Sequence, residues 1–156
     1  MKRILAAVLF AGLSAGAQAQ VPQYGTSINL DDAKKAIAAG QAEARKHGWP
    51  VAIAILDTAG MLVAYEKMDN TQTASIQVAI DKGRSAAIYR RPTKVFEDLV
   101  AKGGAGVRVM NLRDASTVDG GLPIVVGGKV IGGIGVSGVA SDQDAVVAKA
   151  GTEALK

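Results

Sequence analysis

The sequence predicts a single α+β domain in which helices pack on the faces of an antiparallel sheet of about five strands. Apolar residues recur at helical spacing in some segments and form short β-like runs in others. Two pairs of these runs are joined by short turns that contain glycine, as in β-hairpins, whereas parallel strands would need a longer crossover. With 156 residues, the chain is long enough for one hydrophobic core.

The N-terminal segment is predicted to lie outside this domain. Lys2 and Arg3 precede an apolar run over residues 4–13, and Ala17-Gln18-Ala19 follows, which is the order of a secretory signal peptide. The apolar run is shorter than the roughly 20 residues of a membrane-spanning helix, so we predict no membrane span in the mature protein. The predicted division is a signal peptide over 1–19, an arm over 20–29 and a domain over 30–156. The mature protein is then periplasmic or secreted.

Start and stop signals define the helices. A segment over 30–47 carries small apolar residues on one face, with Asn29 as a favourable N-cap and Gly48 as a natural stop. A last helix starts at Ser141, because Ser-x-x-Asp is typical of a capping box. Two further helices are predicted over about 73–91 and 93–104.

The β-like runs predict two hairpins and one isolated strand. Residues 51–56 and 61–66 flank a turn that ends in a glycine. Residues 122–126 and 129–138 flank Gly127-Gly128, a pair that suits a type I′ turn because both central positions need positive φ. The segment 106–112 alternates in polarity, and we predict that it is the fifth strand.

Composition excludes several classes of site. The chain has no cysteine, so disulfides, thiolate catalysis and covalent haem attachment are unavailable. It has one histidine, His47, which excludes a metal site built from several histidines. The net charge is only +4, and no basic stripe is interleaved with aromatic residues, so nucleic acid is not a predicted partner.

The segment Gly133 to Gly138 matches G-x-G-x-x-G, the fingerprint of dinucleotide-binding folds. That fingerprint needs a βαβ unit with an acidic residue about 20 positions later. Here it lies on the second arm of a hairpin, and too few residues follow for another βα unit. Glycine within a strand marks close approach by another backbone or by a ligand, and both remain open for Gly133 and Gly135.

Several polar side chains are candidates for binding or catalysis. His47 directly precedes the helix-ending glycine, where a positively charged ring interacts favourably with the helix dipole. Metal or haem ligation and general-base catalysis are the alternatives. Lys82, Arg84 and Arg90 flank small residues. They form either a solvated helix face or a site that receives the carboxylates of a ligand.

Four segments carry a resemblance that extends beyond single motifs. They are VAIAILDTAGMLVAYEKMDN, DKGRSAAIYRRPT, GGLPIVVGGKVIGGIGVSGVASDQD and AKAGTEAL. In order and spacing they resemble the GlcG/HbpS-like haem-binding family, also found as the C-terminal domain of PduO-type proteins. The similarity runs from about Leu30 to Leu155. It implies a profilin-like α/β/α sandwich that assembles into a symmetric homo-oligomer.

The resemblance also implies reversible, non-covalent binding of haem b. The function would be storage, scavenging or sensing of haem by an exported protein, without ordinary enzymatic turnover. The axial ligand is a histidine in some members and a threonine in others. The residues expected to contact haem are His47 or Thr117 as ligand, Gly133 and Gly135 beneath the macrocycle, and Lys82, Arg84 and Arg90 at the propionates.

A catabolic role for a small molecule is the alternative. The site of such an enzyme or accessory protein would lie near Lys82, Tyr89 and the 120–124 loop. Tyr89 or Lys82 would then act as the acid or base. An assembly domain without any ligand is a third possibility.

Overall fold

The computed structural model describes residues 21–156, and the predicted signal peptide lies outside this range. Four α-helices, four strands and one 3₁₀ helix form the described part. They are α1 (Leu30–His47), β1 (Ala52–Leu56), β2 (Leu62–Lys67), α2 (Ser75–Tyr89), α3 (Lys94–Ala101), the 3₁₀ helix (Gly104–Asn111), β3 (Gly121–Val126), β4 (Lys129–Ser137) and α4 (Ser141–Glu153). None of these helices is both long and apolar enough to cross a membrane.

The strands form one antiparallel sheet in the order β2-β1-β4-β3, which confirms the predicted α+β class. The sheet has four strands. The prediction of a fifth strand over 106–112 is wrong. This segment belongs mostly to the 3₁₀ helix, which starts at two glycines with positive φ, Gly103 and Gly104. Gly106 packs directly on the backbone of Leu99 in α3. The segment therefore folds back on α3 and does not join the sheet.

The predicted arm also contacts the sheet. The Val130 N–H donates to the Gln23 carbonyl at 2.8 Å, and the Gly25 N–H donates to the Val130 carbonyl at 2.9 Å. Tyr24 and Val130 thus form a parallel bridge on the edge of β4 that β3 leaves free. Beyond the end of β1, the arm thus pairs with the backbone N–H and carbonyl of Val130 in β4.

Helices cover both faces of the sheet. On one face, Ile53, Ile55, Ile134 and Val136 pack into a core with the buried sides of α1 and α4. On the other face, small residues of β1 lie beneath α2. Large aliphatic side chains thus fill the space between the sheet and helices α1 and α4. The small residues on the other face allow α2 to pack closer to the sheet.

The glycines of β4 allow this close packing. A Cβ atom on Gly135 would lie 1.9 Å from the Ala79 carbonyl oxygen, and one on Gly133 would lie 2.3 Å from the Gly83 carbonyl oxygen. The backbone of α2 therefore occupies the surface that these glycines present. Of the two roles left open for them, the structure shows helix packing. The predicted haem contact at Gly133 and Gly135 has no room, because α2 is already there.

Most of the local signals at the helix and hairpin ends are confirmed. The Asn29 side chain accepts a hydrogen bond from the Asp32 N–H at 2.8 Å, and Gly48 ends α1 with φ 67°. Gly127 and Gly128 both have positive φ in the β3–β4 turn. The last helix begins at Ser141 as predicted, but the predicted Ser-x-x-Asp capping box is wrong. The N-cap is Ala140, whose N–H donates to the Gln143 side chain at 3.3 Å, while Asp144 accepts the Val139 N–H at 3.2 Å.

Candidate functional site

A cleft of about 430 Å³ lies between α2 and the loop over residues 112–120. We call these the α2 cleft and the cleft loop. The cleft is lined by Val78, Asp81, Arg84, Asp114, Ala115, Ser116, Thr117 and Val118. Its volume lies within the range of small-molecule pockets, about 300–1,000 Å³. Two of the residues predicted to contact haem, Arg84 and Thr117, are brought together here.

Hydrogen bonds from α2 and α3 hold the cleft loop. The Tyr89 hydroxyl donates to the Arg113 carbonyl at 2.7 Å, and the Ser116 N–H donates to the Ser85 hydroxyl at 3.0 Å. Farther along, the Asp119 N–H donates to the Glu97 carboxylate at 2.8 Å. These bonds fix the loop at both ends and in the middle.

The lining of the α2 cleft combines charge, hydroxyl groups and apolar surface. The Arg84 Nε donates to the Gly60 carbonyl at 3.1 Å, and one of its terminal nitrogens lies 3.3 Å from Asp81. Asp114 adds a second carboxylate and has φ 59°, a conformation that aspartate tolerates better than most residues. The side chains of Ser116 and Thr117 supply hydroxyl oxygens. The cleft therefore offers one guanidinium group, two carboxylates and two hydroxyl oxygens beside an apolar wall.

His47 lies far from this cleft, in the helical layer on the opposite face of the sheet. Its ring stacks on Trp49 with centroids 4.2 Å apart, and its Nε2 lies 3.1 Å from the Glu43 carboxylate. Its side chain is 42% exposed at the last residue of α1. This placement agrees with the helix-end role, and it separates the two candidate ligands, His47 and Thr117.

Lys82 is buried, with 1% of its surface exposed. Its ammonium group donates to Asp144 at 2.8 Å and to the Val136 carbonyl at 3.0 Å. β3 begins opposite Gly135, so the carbonyl of the next β4 residue, Val136, has no partner in β3. Lys82 supplies the missing donor. The structure thus replaces both roles predicted for Lys82, a surface cation and a propionate partner, by an internal ion pair between α2 and α4.

Sequence reasoning missed the importance of Asp144, which is also buried. Burial raises the pKa of its carboxyl group above the usual value, and the hydrogen bond from Lys82 opposes this shift. A signal was available, since Lys82 falls on the same helical face as Ala79, Gly83 and Ala86. A lysine within such a face requires a buried acidic partner.

Arg90 holds the N-terminal arm and does not line the cleft. One terminal nitrogen of its guanidinium donates to the Pro22 carbonyl at 3.2 Å, and the group lies 5.0 Å from the centre of the Tyr24 ring. The Tyr24 hydroxyl in turn donates to the Ile88 carbonyl at 2.8 Å and to the Ala87 carbonyl at 3.2 Å, at the C-terminal end of α2. Both interactions fasten the arm to that end of α2.

The alternative catabolic site is only partly assembled. Gly120 and Gly121 lie directly against Lys82, but the ammonium group of Lys82 is already bonded within the core. The Tyr89 hydroxyl is bonded to the cleft loop. Asp119, which sequence reasoning also missed, is buried next to Gly120, and burial raises the pKa of its carboxyl group.

Comparison with known proteins gives the family of this chain. Residues 28–153 match the family model described as haem degrading protein HbpS-like. The chain belongs to the HbpS-like family. Protein GlcG of Escherichia coli strain K12 is 42% identical over 101 residues, which cover 65% of this chain and 74% of GlcG. A 15.0 kDa protein of Citrobacter freundii is 32% identical over 125 residues, 79% of this chain and 88% of its own length.

Solved structures share the HbpS-like fold. The complex of PduOC with haem has a TM-score of 0.76 and 25% identity, over 84% of this chain and 96% of PduOC. A double mutant of HbpS from Streptomyces reticuli has a TM-score of 0.77 and 26% identity, over 99% of both chains. These matches confirm the family resemblance and the predicted sandwich fold.

Proposed function

We propose that this protein binds haem b reversibly in the α2 cleft and acts as an exported homo-oligomer that stores, scavenges or senses haem. The observation that carries the proposal is the meeting of Arg84 and Thr117 in one cleft. The HbpS-like family model is described as haem degrading, and the PduOC structure contains haem, so the comparisons support a haem-related function.

The residues of the α2 cleft fit the requirements of haem. A haem site needs a Lewis base for the iron, apolar contacts for the macrocycle and a cation for the propionates. In this proposal the Thr117 hydroxyl would be the oxygen ligand, and Val78 and Val118 would contact the macrocycle. Arg84, which also bonds Asp81, would pair with a propionate. Without cysteine the group is held by non-covalent contacts, which permits release. Bound haem would supply a redox-active iron.

Exposed apolar side chains near the cleft support a large ligand or a neighbouring subunit. Val78, Leu112 and Val118 are 36%, 43% and 46% exposed on α2 and the cleft loop. Apolar surface of this kind marks ligand grooves and subunit interfaces. The predicted signal peptide supports export.

An absorbance titration with hemin tests the proposal on the wild-type protein, Thr117→Ala and His47→Ala. We expect a saturable Soret band at stoichiometric hemin for the wild type and for His47→Ala, and a weaker complex for Thr117→Ala. Loss of the band in His47→Ala alone would move the site to the end of α1. Equal, non-saturating absorbance in all three proteins would refute specific haem binding.

A further inference from the structure

We infer that Ser85 and Tyr89 are positioning residues, which hold the cleft loop so that the Thr117 hydroxyl meets the haem iron. The inference rests on the proposed haem site. It assigns these two side chains of α2 a part in ligand binding, although neither lines the cleft.

The two residues lie one helical turn apart on α2. Ser85 accepts a hydrogen bond from the Ser116 N–H at 3.0 Å, and Tyr89 donates to the Arg113 carbonyl at 2.7 Å. Side chains at i and i+4 share one face of a helix, so both bonds act on the same stretch of loop. Between the two bonded positions lie Asp114 and Ala115, and the backbone of Asp114 is in the left-handed region.

The hold on the loop is made through its backbone. A backbone N–H and a backbone carbonyl form the two bonds, so the Thr117 side chain is not needed for them. Thr117 follows the Ser116 anchor directly. The backbone position immediately before Thr117 is therefore set by a bond that ends on Ser85.

α2 itself is a rigid base for these anchors. Gly83 packs against the backbone of β4, and Ser85 is fully buried. The ring of Tyr89 packs edge-on against Phe96, with centroids 5.2 Å apart. Ser85 is thus packed within the core, and Tyr89 is packed against α3.

The test compares Ser85→Ala and Tyr89→Phe with a matched control, Ser75→Ala. Ser75 is also fully buried on α2, but its hydroxyl is bonded to Ser137 at 3.0 Å, on β4. Each protein is titrated with hemin, with and without imidazole. Imidazole supplies an external axial ligand and makes the direction of the Thr117 hydroxyl irrelevant. Thermal unfolding of the haem-free proteins is measured alongside.

Without imidazole, we expect Ser85→Ala and Tyr89→Phe each to bind hemin about tenfold more weakly than the wild type, the fold-change of one lost hydrogen bond. The charge-transfer band that reports the ferric spin state should shift in both. With imidazole, their affinities should return to within about twofold of the wild type. Ser75→Ala should keep the wild-type affinity and band under both conditions.

Three results would overturn the inference. The first is unchanged affinity in both variants, and the second is a deficit that persists in imidazole, which indicates general loss of cleft structure. The third is an equal deficit in Ser75→Ala. In each case the wild type still binds hemin, so the proposed function survives. A wild-type protein without saturable binding refutes the proposed function and the inference together.

Discussion

Replacing Lys82 by methionine should lower the free energy of unfolding by about 3–5 kcal/mol, because it leaves a buried carboxylate without its partner. Lys82 and Asp144 are each 1% exposed, and their charged groups are 2.8 Å apart. Methionine fills much of the same volume but donates no hydrogen bond. The substitution also removes the donor to the Val136 carbonyl.

The loss of stability in Lys82→Met depends on pH, and the direction of this dependence follows from the pKa of Asp144. Burial raises the folded-state pKa of this carboxyl group, so folding favours its protonated form. Such a group contributes stability that is complete below its unfolded pKa and is lost as pH rises through the folded pKa. Without Lys82 the folded pKa rises further. The difference in stability between Lys82→Met and the wild type should therefore shrink as pH falls from 7 towards 5.

Urea unfolding followed by circular dichroism, at several pH values, measures both effects. The double variant Lys82→Met/Asp144→Leu is the control, since apolar replacement of a whole buried ion pair is often neutral. We expect it to be more stable than Lys82→Met alone. A loss below about 1 kcal/mol, or a loss that does not change with pH, would contradict the buried ion pair.

Two further predictions concern packing and the arm. Gly135→Ala should destabilise the fold by about 3 kcal/mol or more, because its Cβ would overlap the Ala79 carbonyl. The control Gly128→Ala, in open space at positive φ, should cost about 1–2 kcal/mol. Equal midpoints of urea unfolding for the two variants would argue against close contact between α2 and β4. Tyr24→Phe should cost about 1 kcal/mol and increase hydrogen exchange in the arm, since it removes the donor to the Ile88 carbonyl; unaltered exchange at Gly25 would show that this hydroxyl does not fasten the arm.

The site depended on contacts between distant parts of the chain. Thr117 was a candidate through the family resemblance, and Arg84 through the cations that flank small residues in its segment. Both were expected in one site with Lys82 and the glycines of β4, with His47 as the alternative ligand. The structure separates these residues for two reasons. The sheet lies between His47 and α2, whereas Lys82, Gly133 and Gly135 are buried where α2 packs on the sheet. Which candidates share a cleft therefore depends on the face of the sheet that each helix covers and on the side of α2 that each residue occupies.

Local chemistry determined much of this protein from the sequence alone. The cap at Asn29, the stop at Gly48 and the Gly127-Gly128 turn depend on backbone preferences and on bonds within a few residues, so their outcomes were predictable. The same local reasoning failed for residues 106–112, where alternation indicated a strand but the segment forms a 3₁₀ helix that packs on α3. Only the tertiary structure decided that Lys82 pairs with Asp144, 62 residues away, and that α2 lies on Gly133 and Gly135. Such contacts depend on the order of strands in the sheet, which no short segment encodes.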